Sequence, residues 1–162
     1  MRLERLEVPA AHQPAKTICI QAICGTGVQE REVVKGRFFR RGEGDGRIYL
    51  DGSGKAPLTC YARSAGSVVQ VEEDGRLIRG LTFVAPEGWP QTAAAAEHLA
   101  MTVAQDYAEQ GLVPVTDCGS VYRSAAEGPR CATHEKRPWA AIWADIRGWL
   151  GPPLKVEAHL TQ

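Results

Sequence analysis

A chain of 162 residues with 44% hydrophobic and 23% charged residues has the balance of a soluble globular protein and the length of one ordinary domain. Its 19 basic and 19 acidic residues cancel, which excludes a protein that coats nucleic acid by charge alone, though not one that gathers cations beside a site. No apolar run is long enough for a helical membrane span, and the start, MRLERLEVPAAHQPAK, lacks the apolar core of a secretory signal. An intracellular protein, cytoplasmic or nuclear, with no membrane partner is expected. Cys19, Cys24, Cys60, Cys118 and Cys131 form no CxxC pair and read as free thiols rather than a zinc or redox motif.

Residues 1–45 read as an N-terminal extension or tether, and 46–162 as the folded domain. Within the extension, TICIQAICGTGV (17–28) has isoleucines near period two and is a candidate strand. In KGRFFRRGEGDG, Lys35, Arg37, Arg40 and Arg41 surround Phe38 and Phe39. Cations interleaved with aromatics suit a phosphate backbone with stacked bases, while the glycines suit a solvated linker.

From Arg47 the pattern is regular. RIYLD (47–51) reads as a buried strand, and SVVQVEEDGRLIRGLTFVAP as a hairpin around the two residues Asp74-Gly75, so that 47–85 forms a three-strand meander. Gln91 to Gln110 is alanine-rich and helical, with Gly111 as its C-cap. LVPVTD (112–117) is a short strand, and CGSVYRSAAEG opens a short helix or turn. In HEKRPWAAIWADIRGWLG, Trp139, Ile142, Trp143, Ile146, Trp149 and Leu150 recur at helical spacing and read as core. Gly151-Pro152-Pro153 ends that helix, and LKVEAHL (154–160) is the last strand. The fold expected is α/β, a mixed five-stranded sheet of three antiparallel strands and then two parallel ones, with helices on its faces.

Three carboxylates break the pattern of the elements that carry them. Asp51 ends an apolar strand beside Gly-Ser-Gly, and Asp117 ends another on the face of Val113 and Val115. Glu97 lies on the stripe of Ala93, Ala96, Ala100, Met101 and Ala104, where a carboxylate is unfavourable unless paired or bound to a cation. Taken singly, each Asp reads as a turn or helix-cap residue, and Glu97 as a boundary residue reaching water. His98, the next residue, reads as a surface group. Together, two strand ends and one packed helix can bring the acids to one point, where mutual repulsion calls for hard cations. Oxygen-only ligands favour Mg²⁺ or Mn²⁺ over zinc.

YLDGSG (49–54), AEHLA (96–100), VTDCGSV (115–121) and VEAHL (156–160) resemble the four active-site blocks of the ribonuclease H family, in family order. The resemblance covers about residues 47–162, and QTAAAAEHLA and KRPWAAIW are most similar to the versions found in eukaryotic retroelements. It implies a ribonuclease H-like fold and cleavage of the RNA strand of RNA–DNA hybrids by two Mg²⁺ or Mn²⁺ ions. Asp51, Glu97 and Asp117 would be the metal ligands, with Asp51 between the ions, and His159 would assist near the scissile phosphate. The backbone of Gly52 and Ser53, with Gln91, would contact the hybrid. Arg130, Lys136 and Arg137 would grip its DNA strand, or else form an ordinary charged helix start. An upstream reverse transcriptase in the same polyprotein is the implied partner. The family's fourth carboxylate and the closing C-terminal helix that bears it have no counterpart before Gln162, so a truncated domain is expected. Alternatives are a catalytically inactive hybrid-binding remnant, another nuclease on the same fold, and a scaffold whose three acids stand far apart.

Overall fold

The apolar runs become strands of a single sheet. The computed structural model describes residues 18, 20–25, 33–55, 63–86, 90–127, 143 and 153–157. In chain order the elements are β1 (Ile20–Cys24), β2 (Arg47–Lys55), β3 (Arg63–Val71), β4 (Leu77–Val84), α1 (Ala93–Tyr107), β5 (Val113–Thr116), α2 (Gly119–Glu127) and β6 (Leu154–Lys155). The mixed sheet runs β1-β4-β3-β2-β5-β6. β1, β4, β3 and β2 pair antiparallel, whereas β2 with β5 and β5 with β6 pair parallel.

The sheet therefore has six strands, not the five expected. The sixth is β1, which pairs with β4 from Ile20↔Phe83 to Cys24↔Arg79 and covers backbone groups that an edge strand would leave unpaired. Its alternation sets Ile20 and Ala22 against the core, with Gln21 and Ile23 exposed. Residues on both sides of the boundary expected at 45/46 thus share one sheet and one core. Phe38 and Phe39 lie inside that core, 3% and 0% exposed, so they are neither linker residues nor a platform for bases. Their rings meet edge to face at 5.0 Å.

The hairpin between β3 and β4 also differs from expectation. Gly75 N–H donates to Glu72 O and Glu72 N–H to Arg76 O, each at 2.8 Å, so three residues form the loop rather than two. Gly75 takes a left-handed φ of +91°, as the last residue of such a loop requires. α1 starts at the Thr92 hydroxyl, which accepts from Ala95 N–H at 3.1 Å. It ends at Tyr107, before Gly111, because Ala108 turns extended and forms a parallel bridge with Phe39. Gly111 adopts φ +105° in the turn into β5 instead.

α1 lies across the sheet, with every residue from Ala95 to Gln105 buried. A helix covered on two sides has little polar face, which is why AAAAEHLAMTVA shows weak amphipathic periodicity. Of the tryptophan-rich segment only Trp143 is described, and it is buried. The remainder of that segment, and the final strand beyond Glu157, lie outside the described residues. Among the described residues no helix is long and apolar enough to cross a membrane.

Candidate functional site

Two parallel strands part where the acids sit. β2 and β5 pair as Arg47↔Val113, Ile48↔Pro114 and Tyr49↔Val115, and pairing stops there. Asp51 and Asp117 each lie two residues past the last β2–β5 pair. Asp51 does not end its strand as expected, because β2 continues to Lys55 on β3 with Asp51 opposite Ser67, whereas Asp117 follows the last residue of β5. A crevice opens at such a point because the strands no longer share hydrogen bonds, and ligands of open α/β sheets bind there.

Glu97 reaches this fork from α1. The approach is set by glycine: a Cβ on Gly52 would stand 2.6 Å from Glu97 N, 2.8 Å from Ala96 C and 2.9 Å from Ala96 Cβ. The helix backbone therefore rests directly on β2, closer than any side chain would permit. From there Glu97 Oε1 accepts the Gly52 N–H at 3.0 Å, and Asp51 Oδ1 accepts the same N–H at 3.0 Å. The two carboxylates are thereby gathered around one nitrogen.

Burial pushes the Glu97 carboxyl up to about 7, and the Asp117 charge adds to that rise. The Gly52 N–H opposes it, and the Asp51 charge contributes a smaller upward push. Glu97 Oε2 is buried with no hydrogen-bond partner among the described residues. An acceptor left bare inside a ring of like charge is what a hard cation would satisfy, so the donor set fits Mg²⁺ or Mn²⁺. The acids do not form a closed ligand sphere as they stand: among the described residues no three His, Cys, Asp or Glu side chains are grouped tightly enough to hold an ion. Asp51 is exposed and borders an open cleft of about 630 Å³ with Ser53, Ser67 and Thr82.

The other residues singled out divide into three groups. Gly52 belongs to the acid cluster, and Ser53 is exposed beside it. The Gln91 amide is engaged by its own chain: Oε1 accepts Ser64 N–H at 2.9 Å, and Nε2 donates to Pro86 O at 2.9 Å. It braces the ends of β3 and β4 against the start of α1. Arg130, Lys136, Arg137 and His159 lie outside the described residues. Of the cations around Phe38 and Phe39, Lys35 pairs with Asp106 at 3.7 Å, while Arg79, from β4, is buried against Glu43 at 2.8 Å.

His98 corrects the reading of a surface group. It is 0% exposed, because α2 and Trp143 cover the side of α1 that faces away from the sheet. Trp143 Nε1–H donates to His98 Nδ1 at 2.9 Å, and His98 Nε2 lies 2.8 Å from Ser120 Oγ. Burial holds the imidazole down to about 4, so it is neutral at physiological pH. The signal for this burial was present in the sequence: apolar residues all round the first turns of α1 leave no polar face, so a polar residue among them has to be enclosed. Its partners, Ser120 and Trp143, are distant in sequence and could not be read from it. Comparison with protein-family models, with characterised proteins and with solved structures returns no match to this chain.

Proposed function

We propose that the chain is a metal-dependent nuclease of the ribonuclease H type, cutting the RNA strand of RNA–DNA hybrids as a retroelement domain or part of one. The observation that carries this reading is the approach of Asp51, Glu97 and Asp117 at the fork between β2 and β5, with a buried Glu97 oxygen that has no partner among the described residues. It argues against the scaffold alternative, which needs the acids far apart. The fold supports it as well: β4-β3-β2 antiparallel, then β5 and β6 parallel to β2, with α1 bearing the Glu, is the arrangement the sequence resemblance implies.

Each residue then has a role. Asp51, exposed at the cleft, would hold divalent ions together with Glu97 and Asp117. Bound divalent ions would supply a hydroxide nucleophile and stabilise the leaving 3′ oxygen. The Gly52 N–H holds the Asp51 and Glu97 carboxylates beside one another before charge enters the site. The buried face of α1 around Glu97 keeps water from one side. The open cleft beside Asp51, where Gly52, Ser53, Gly66 and Ser67 are small, leaves room for a backbone to approach.

A second reading, an inactive hybrid-binding remnant, draws on one observation: the described acids do not close into a ligand sphere. The test is incubation of the purified chain with a labelled RNA–DNA hybrid and Mn²⁺ or Mg²⁺, beside an Asp51→Asn variant. Metal-dependent cutting of the RNA strand alone, leaving 5′ phosphates and absent in the variant, is the expected result. Hybrid binding without cleavage would favour the remnant. Neither binding nor cleavage would overturn both.

A further inference from the structure

Glu97 and Asp117 repel each other, yet they sit on different elements, α1 and the loop between β5 and α2. The sheet links those elements only through β2, so a direct tie beside the acids would fix their separation more closely. The described structure contains such a tie, one residue past Glu97 and three residues past Asp117: His98 Nε2 lies 2.8 Å from Ser120 Oγ.

The direction of this bond follows from chemistry. An indole N–H can only donate, so the Trp143 contact makes Nδ1 of His98 an acceptor. A neutral ring with Nδ1 bare carries its proton on Nε2, and that N–H donates to the Ser120 hydroxyl. The histidine is thereby fixed in tautomer and in ring orientation from both ends, inside a fully buried pocket. On the α2 side the turn is further set by Cys118 N–H, which donates to Thr116 Oγ1 at 3.0 Å, and by Tyr122 N–H, which donates to Cys118 O at 3.0 Å. The chain Trp143–His98–Ser120 thus runs from the far side of α1 into the first turn after Asp117.

We propose that His98 and Ser120 are positioning residues, which hold Glu97 and Asp117 in register by tying α1 to the first turn of α2. This rests on the nuclease reading of the acid cluster. Neither residue touches substrate or ion, and both act through the carboxylates. Ser120 offers the cleaner probe, because Ser120→Ala removes one half-buried oxygen and no packing volume beyond it.

The experiment is Mn²⁺ binding by calorimetry on the full chain, as wild type, Ser120→Ala, Ser120→Thr, His98→Asn and Asp51→Asn, with melting temperature measured alongside. Folded Ser120→Ala should bind Mn²⁺ at least fivefold more weakly than wild type, and Ser120→Thr, which keeps the hydroxyl, should recover the wild-type affinity. A purely structural role would lower the melting temperature and leave the Mn²⁺ affinity of the folded protein unchanged. Should His98→Asn fail to fold, Ser120→Ala and Ser120→Thr still decide. Binding abolished by Asp51→Asn but unaltered by Ser120→Ala overturns the positioning role alone. No Mn²⁺ binding by wild type overturns the nuclease reading, and the positioning role with it.

Discussion

Glu97 Oε1 and Asp51 Oδ1 share one donor, the backbone N–H of Gly52, each at 3.0 Å. A single N–H cannot offset two carboxylates, so the cluster is strained electrostatically without a cation. Its pH behaviour follows. The folded-state pKa of Glu97, about 7, lies above its ordinary value of 4.5, so the group favours the folded chain fully below pH 4.5. That contribution is lost as pH rises through about 7. The metal-free protein should therefore weaken over this window by on the order of 2 kcal/mol. Glu97→Gln should flatten the dependence and raise stability at pH 8 while abolishing Mn²⁺-dependent cleavage. Urea denaturation at pH 5 and pH 8 measures it; an unchanged slope in the variant would refute the assignment.

Gly52→Ala should destabilise the fold by about 2 kcal/mol or more, since its Cβ would collide with the α1 backbone, which cannot give way as a flexible side chain can. Gly54→Ala should be milder, with its closest contact 2.9 Å from Ala93 N at the helix start. Denaturation midpoints of the two variants, compared directly, test whether α1 rests on β2 at Gly52. Equal effects would argue against that.

Phe39→Ala should cost roughly 3–5 kcal/mol, the range for emptying a buried aromatic site. Arg37→Ala, at an exposed position, should stay within about 0.5 kcal/mol. If the aromatics served to stack bases, Phe39→Ala would instead spare stability and weaken hybrid binding, which a gel-shift titration would reveal.

Arg79 is buried between Gln70 Oε1 at 2.7 Å and Glu43 Oε1 at 2.8 Å, and the Gln70 amide in turn donates to Arg40 O at 2.7 Å. This cluster pins the segment before β2 onto the sheet. Arg79→Ala should lower stability by about 2–3 kcal/mol, because it leaves polar partners buried and unmatched. Hydrogen exchange should show amides of residues 38–46 losing protection before those of α1. Loss of both together would mean that the segment is not separately anchored.

The sequence by itself determined the local elements and the identity of the acids. Apolar runs bounded by glycine became β2 and β5, the alanine-rich stretch became α1, and Asp51, Glu97 and Asp117 stood out because each violates the pattern of its own element. Those signals are local, fixed by periodicity and by the unfavourable burial of charge. Only the tertiary structure decided what depends on residues far apart in the chain. It drew 20–24 into the sheet as β1 because the edge of β4 was open to it, and it turned Phe38 and Phe39 into core. It took up the Gln91 amide on the ends of β3 and β4, and it enclosed His98 between Ser120 and Trp143. A helix shows its neighbours in sequence, but not which surfaces will close over it; that is settled by packing, which satisfies buried donors and acceptors with whatever partners the fold brings near.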